Sequence, residues 1–238
     1  MDLNLLNWNV RGLNNPARRR AIQNLCNTWK CNIVCLQETK IADMSRSLVV
    51  ETLGPRFGDN FLFKGADGTR GGILIACSPD FTISPLPAAP DSFSLSATVT
   101  DKMDGSSWTL TVVYGPQEDQ DKIAFLQEIR NIKLLAQNEW LIAEDFNLIA
   151  RANEKNNSNV NIQMMGRFRS VIEDLELREF QLIGKKFTWS SDNSHHTCSK
   201  LDRILMSRDW ELKFPPVPFD ACLHGHFGPQ PIAAQEDG

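Results

Sequence analysis

Asn9, Glu38, Asp145 and Asn147 each close a short apolar run. Residues 3–8 lead into Asn9, Ile33-Val34-Cys35-Leu36 into Gln37-Glu38, and Trp140-Leu141-Ile142 into Glu144-Asp145-Phe146-Asn147. Apolar runs of this length read as buried strands, so each strand would deliver a polar group at its end. If those ends meet at one edge, the four residues form an oxygen-rich cluster suited to a hard divalent cation. Mg²⁺ takes oxygen ligands, keeps several waters and needs only one or two carboxylates besides substrate phosphate. Singly, each residue reads as a solvated turn residue, and Asp-x-Asn is a common loop sequence. His195, His196 and Cys198 have the chemistry of zinc ligands but no second ligand pair, so a polar loop is expected there.

Elements able to position such a cluster are visible around it. Asn15 is placed to cap a helix with Pro16 at its first position, and Ile22, Leu25, Cys26 and Trp29 follow helical spacing. A second helix carries Ile123, Leu126 and Ile129, with Glu118, Asp119 and Asp121 near its start, where acidic groups suit the helix dipole. Phe168, Val171, Ile172 and Leu175 mark a third, and all three stripes read as core-facing. Residues 71–77, 81–84, 93–100 and 108–114 read as antiparallel strands broken by Pro, Gly and Asp clusters. Helices and strands mix without strict alternation, which favours an α+β or layered α/β architecture over a regular doubly wound sheet. No internal repeat, low-complexity tract or linker is visible, so residues 1–238 are expected to form a single domain.

The composition, 42% hydrophobic and 23% charged, is that of a globular protein. No apolar run is long enough to cross a bilayer and no secretory leader is evident, so no membrane partner is expected. The six cysteines form no C-x-x-C pair and read as reduced thiols of an intracellular protein. A net charge of -4 argues against a protein that coats nucleic acid but not against an enzyme acting on it, because bound cations offset the acidic site. Arg18-Arg19-Arg20 and Lys185-Lys186 read first as solvated faces and second as DNA contacts.

Taken in order, the motifs resemble those of the endonuclease/exonuclease/phosphatase superfamily. Trp8-Asn9-Val10-Arg11-Gly12-Leu13 is similar to its first motif and Gln37-Glu38-Thr39-Lys40 to the one carrying the metal-binding glutamate. Val113-Tyr114-Gly115-Pro116 resembles the motif with the site tyrosine, and Glu144-Asp145-Phe146-Asn147 the Gly-Asp-Phe-Asn motif. Leu201-Asp202-Arg203-Ile204 resembles the motif whose aspartate, in the family, orients a terminal histidine, which would here be His226. Five short motifs in order are specific where each alone is weak. The stretch from Met165-Gly166-Arg167 through Phe187-Thr188-Trp189-Ser190 to Leu201-Asp202-Arg203 looks like plant LINE-type retrotransposon endonucleases, whose reverse transcriptase is absent from this chain.

The resemblance implies a four-layered sandwich of two packed mixed β-sheets flanked by helices, with the site at one end. It implies Mg²⁺, with Mn²⁺ as a substitute, and attack of an activated water on a phosphodiester of DNA. Asn9, Glu38 and Asp145 would serve the metal, and Asp145 would also position or deprotonate the water. Asn147 and Tyr114 would contact the phosphate, and His226, oriented by Asp202, would support developing negative charge. By the bland reading, Tyr114 caps the core with its hydroxyl in water and Asp202-Arg203 is an exposed ion pair. A nuclear location, within the intracellular setting read from the cysteines, is implied by the resemblance alone.

Two departures weaken the match. The terminal Ser-Asp-His reads His224-Gly225-His226, which removes a carboxylate, and Glu144 replaces a glycine, adding charge where the phosphate should approach. Two prolines in Phe227-Gly228-Pro229-Gln230-Pro231 argue that a closing strand is missing, through decay of a transposon fragment or a gene-model error near Cys222. The expectation is a DNA-nicking endonuclease of impaired activity. The alternatives are an inactive relic that keeps the fold and weak nucleic-acid binding, and a phosphoesterase acting on small molecules.

Overall fold

A computed structural model describes residues 3–68, 70–180 (Glu144 by its backbone), 186–191 and 196–214, and the backbone of Cys222–Leu223. The elements begin β1 (Leu5–Asn9), α1 (Pro16–Thr28), β2 (Ile33–Gln37), α2 (Arg46–Leu53), β3 (Phe61–Lys64) and β4 (Ile73–Cys77). They continue β5 (Phe81–Pro85), β6 (Ser94–Asp101), β7 (Ser107–Tyr114), α3 (Asp119–Lys133), β8 (Trp140–Asp145) and α4 (Ile162–Asp174). Last come β9 (Arg178–Glu179), β10 (Trp189–Ser190), β11 (Cys198–Ser199), β12 (Asp202–Met206), α5 (Arg208–Lys213) and β13 (Cys222–Leu223).

Two mixed sheets carry the fold. One has the order β13-β1-β2-β4-β3, with β1 parallel to both neighbours. The other has the order β5-β6-β7-β8-β12-β9, in which only β7 and β8 run parallel. Their facing sides share a core that includes Ile33, Cys35, Ile75, Val99, Leu110, Leu141 and Ile204. Outside the first sheet, Ile22 and Cys26 of α1 and Val49 and Leu53 of α2 cover Val34, Leu36 and Leu74. Outside the second, Phe125 and Ile129 of α3 and Phe168 and Val171 of α4 cover Trp140 and Ile142. The layers are therefore helix, sheet, sheet, helix. Because the central strands are covered on both faces, they read as continuous apolar runs, and each fully buried Leu, Ile or Val contributes about 1.5–3 kcal/mol.

Local signals act as expected at α1, where the Asn15 side chain accepts a hydrogen bond from Ala17 N at 2.8 Å and Pro16 opens the helix. In α3 the buried stripe is Phe125, Leu126, Ile129 and Ile132, whereas Ile123 is 49% exposed. Helical spacing also places Glu128 on that stripe, where its carboxylate accepts from Ser94 Oγ at 2.6 Å and Phe93 N at 3.0 Å. The four middle strands divide between the sheets, β4 pairing with β2 and β3, and β5, β6 and β7 pairing in series. Cys26, Cys31, Cys35, Cys77 and Cys198 are free thiols. Among the described residues no helix is long and apolar enough to cross a membrane. The expected loss of a closing strand falls on residues 227–238, outside the described residues.

Candidate active site

Strand register brings the singled-out residues together. Asn9 pairs with Gln37 at the ends of β1 and β2, so Glu38 is the next residue beyond the ladder. Tyr114 pairs with Asp145 across parallel β7 and β8, and Asp145 pairs with Asp202 across β8 and β12. The first sheet thus presents Asn9 and Glu38, and the second Tyr114, Asp145, Asn147 and Asp202.

Glu38 joins the two sheets. Its Oε1 accepts from Asn9 Nδ2 at 3.1 Å and from the Tyr114 hydroxyl at 3.0 Å, while Lys40 Nζ lies 3.8 Å from Oε2. Its neighbours are fixed by backbone bonds from Thr39 N to Gly72 O and from Lys40 N to Gly71 O, both 3.1 Å. Tyr114 therefore does not end in bulk water. Burial and the adjacent Glu38 carboxylate push its pKa up, so the phenol stays a proton donor.

Asp145 and Asp202 are each 7% exposed and stand side by side. Burial and the Asp202 charge raise the Asp145 pKa well above the usual carboxylate range, against the Asn147 N–H donated to Asp145 Oδ1 at 2.8 Å. Burial pushes Asp202 up to about 6, opposed by its hydrogen bond with the Thr188 hydroxyl and by the charges of Arg203 and Arg11. His226, which Asp202 was expected to orient, and Gly225 lie outside the described residues.

Asn147 donates from Nδ2 to Gly115 O at 2.7 Å, and Gly115 N donates to Asp145 O at 2.7 Å, interlocking the tyrosine and aspartate motifs. A Cβ at position 115 would stand 2.3 Å from Phe146 O, so only glycine fits. Gly115 and Thr188 stand within the motifs, but their roles come from contacts with distant segments, Gly115 with Asn147 and Thr188 with Asp202. Beside Asn147 opens a cleft of about 150 Å³ lined by residues that include Lys122, Lys155, Met165, Ser199 and Leu201.

Backbone strain gathers at the same place. Arg11, Glu38, Lys40 and Asn147, all within the motifs, adopt φ of 48 to 55°, against three other non-glycine residues with positive φ among the described residues. Left-handed backbone costs an L-residue roughly 1–2 kcal/mol, and such residues cluster at functional sites.

The Asp202 and Arg203 pair is not an exposed ion pair. Consecutive residues of a strand face opposite sides, and Arg203 is 0% exposed on the outer side of β12. It binds Glu154 Oε2 at 2.5 Å and Glu179 Oε1 at 2.9 Å, with its guanidinium 5.6 Å from the Phe168 ring centre. Position 144 pairs with Arg203 in the same backbone register. The Glu144 side chain, expected to add charge where the phosphate approaches, lies outside what the structure describes.

The oxygen donors suit Mg²⁺ more than zinc. Among the described residues no three His, Cys, Asp or Glu side chains gather as a metal shell. One carboxylate, Glu38, backed by the Asn9 amide, still meets Mg²⁺'s modest requirement. Of the three residues with zinc-ligand chemistry, His195 lies outside the described residues, Cys198 sits in β11 rather than a loop, and His196 Nδ1 lies 3.4 Å from Ser191 O.

A family model described as the endonuclease/exonuclease/phosphatase family matches residues 6–222. No curated protein sequence matches the chain significantly. Among solved structures, the endonuclease domain of TRAS1, a telomere-specific non-LTR retrotransposon, is similar at TM-score 0.64 and 13% identity, covering 87% of this chain and 86% of that one. An AP endonuclease from Archaeoglobus fulgidus is similar at TM-score 0.65 and 14% identity over 87% of each chain. The AP endonuclease LMAP from Leishmania major gives TM-score 0.64 and 14% identity over 87% of this chain and 79% of that one.

Proposed function

The chain belongs to the endonuclease/exonuclease/phosphatase family, and from that premise we propose that it is a Mg²⁺-dependent endonuclease that nicks DNA, derived from a LINE-type retrotransposon. The observation that carries this reading is the Glu38 carboxylate, held by Asn9 and Tyr114 at one end of the sandwich, with the buried Asp145 and Asp202 pair beside it. The similar fold of a retrotransposon endonuclease domain supports the class; the plant LINE assignment rests on the segment from Met165 to Arg203.

Bound at Glu38 and Asn9, Mg²⁺ would supply Lewis-acid charge at a phosphate oxygen. The Tyr114 hydroxyl, kept protonated, would turn its one hydrogen from Glu38 toward the phosphate or leaving oxygen once that carboxylate is engaged with the metal. Asp145, whose pKa is raised, is suited to take the proton of the attacking water. Asn147 Nδ2 has a second hydrogen beyond the one given to Gly115, available to the phosphate. His226 would add charge near the phosphate as the sequence motif implies.

The second reading is a non-catalytic relic, favoured by Gly225 in place of the motif's aspartate. Plasmid nicking separates the two. The native chain should nick supercoiled plasmid slowly with Mg²⁺, Glu38→Ala should abolish nicking, and Gly225→Asp should raise it. Loss of one proton-transfer group typically costs about 10²–10⁴-fold, so the gain should fall within that range. A native chain and Gly225→Asp variant that both fail to nick would overturn the enzymatic reading.

A further inference from the structure

The turn between β1 and α1 lies over Glu38. Val10 N donates to Gln37 O at 2.9 Å and Leu13 N to Thr39 O at 2.8 Å, so the turn is laid along the segment that carries the glutamate. Its backbone is contorted, with φ of 50° at Arg11 and 109° at Gly12. The Asn9 amide spans the gap, with Oδ1 accepting from Arg11 N at 3.3 Å and Nδ2 donating to Glu38 at 3.1 Å. A shift of the turn therefore moves Asn9 relative to Glu38.

Two arginines of α1 hold the turn's carbonyls. A single nitrogen of Arg18, Nη1, donates to Arg11 O at 2.8 Å and Gly12 O at 3.2 Å. Arg19 uses two edges of its guanidinium. Nη1 reaches Leu13 O at 2.5 Å, while Nε and Nη2 reach Glu51 Oε1 on α2 at 3.0 and 2.8 Å. The Arg19 side chain is only 13% exposed.

We infer that Arg18 and Arg19 are positioning residues for Asn9 and Glu38, bracing the β1–α1 turn through its three carbonyls so that the Asn9 amide stays seated against the glutamate. This goes beyond the proposed nuclease activity but rests on its reading of Asn9 and Glu38 as the metal-holding pair. Groups that orient metal ligands typically cost about 10–100-fold in affinity when removed. The bonding pattern also separates the two arginines. Lysine at 18 can replace one nitrogen serving two carbonyls, whereas lysine at 19 has no second edge with which to reach Glu51.

The test is Mn²⁺ binding to the full chain by electron paramagnetic resonance, with Glu38→Gln defining the site-bound ion. Hydrogen exchange at the Val10 and Leu13 amides is followed in parallel. Arg18→Ala and Arg19→Ala should each weaken site-bound Mn²⁺ by about 10-fold and speed exchange at both amides. Arg18→Lys should recover most of the affinity and Arg19→Lys little of it. Arg20→Ala, at an exposed position of the same helix, should match the native chain. Native-like Mn²⁺ affinity and exchange in Arg18→Ala, or equal rescue by both lysines, would overturn the inference. If the native chain binds no Glu38-dependent Mn²⁺, the metal reading fails. The brace is then judged by exchange alone and is refuted if neither alanine variant changes it.

Discussion

Asp202→Asn should stabilise the protein at alkaline pH and not at acid pH. Asp202 is 7% exposed, and burial raises its pKa from 3.8 to about 6. A carboxyl whose folded pKa is raised binds its proton more tightly folded than unfolded. Stability is then greatest below the unfolded value, falls as pH rises from about 4 to about 6, and is level above that. The rise corresponds to roughly 3 kcal/mol of ionisation cost at pH 8. Asparagine carries no such cost and keeps an oxygen for the Thr188 hydroxyl, so a net gain of about 1–3 kcal/mol is expected at pH 8. For a chain of this size 1 kcal/mol moves Tm by about 2–4 °C, which gives a rise of roughly 3–10 °C. The assay is Tm of variant minus native at about pH 4.5 and pH 8 in EDTA, which cancels the titrating groups that do not feel Asp202; the Asp145 pKa, raised by the Asp202 charge, should fall in the variant and add to the gain at pH 8. A difference in Tm that is equal at both pH values, or larger at acid pH, would refute the reasoning. Nicking should fall in the same variant, because a site held under electrostatic stress exchanges stability for function.

Gly115→Ala should cost about 1–3 kcal/mol and slow nicking, since its Cβ would meet Phe146 O at 2.3 Å; an unchanged urea midpoint would show that the two loops can part. Arg203→Met should cost about 3–5 kcal/mol by leaving buried carboxylates unpaired, and adding Glu154→Gln should recover part of the loss. Additive losses in urea denaturation would dismiss that coupling. Tyr114→Phe should leave Tm within a few degrees while lowering kcat about 10²-fold, in the range for loss of one transition-state donor; a change confined to KM would place the hydroxyl in ground-state binding instead.

Much of the fold is legible because its strongest signals are local. Asn15 and Pro16 mark the start of α1, and the apolar runs 33–36 and 140–142 fall inside β2 and β8. The division of the middle strands between two sheets is not local. It depends on β4 returning beside β2, and the strand at 73–77 is apolar throughout in either sheet. Helix α2 is an eight-residue segment whose Ser45 cap has no acidic first turn to announce it, and it forms by packing Val49 and Leu53 on the first sheet.

The site divides the same way. Strand ends gave the identities of Asn9, Glu38, Asp145 and Asn147, but their partners come from distant segments. The Tyr114 hydroxyl reaches Glu38 across 76 residues, and the Arg18 bond that secures the turn crosses a helix start. The misread residue, Arg203, could have been read correctly from the rule already in use. Once 202–206 is recognised as a strand, alternation forbids Asp202 and Arg203 from pairing, because they leave the sheet on opposite faces. A buried guanidinium then requires acceptors on the outer face, which Glu154, Glu179 and Lys200 O supply. A buried carboxylate on the inner face, beside another aspartate, binds its proton more tightly than usual, although the Thr188 hydroxyl and the charges of Arg203 and Arg11 oppose this. Adjacent opposite charges within a strand are therefore two separate demands for partners, met on opposite faces of the sheet, and the carboxylate's demand falls at the candidate active site.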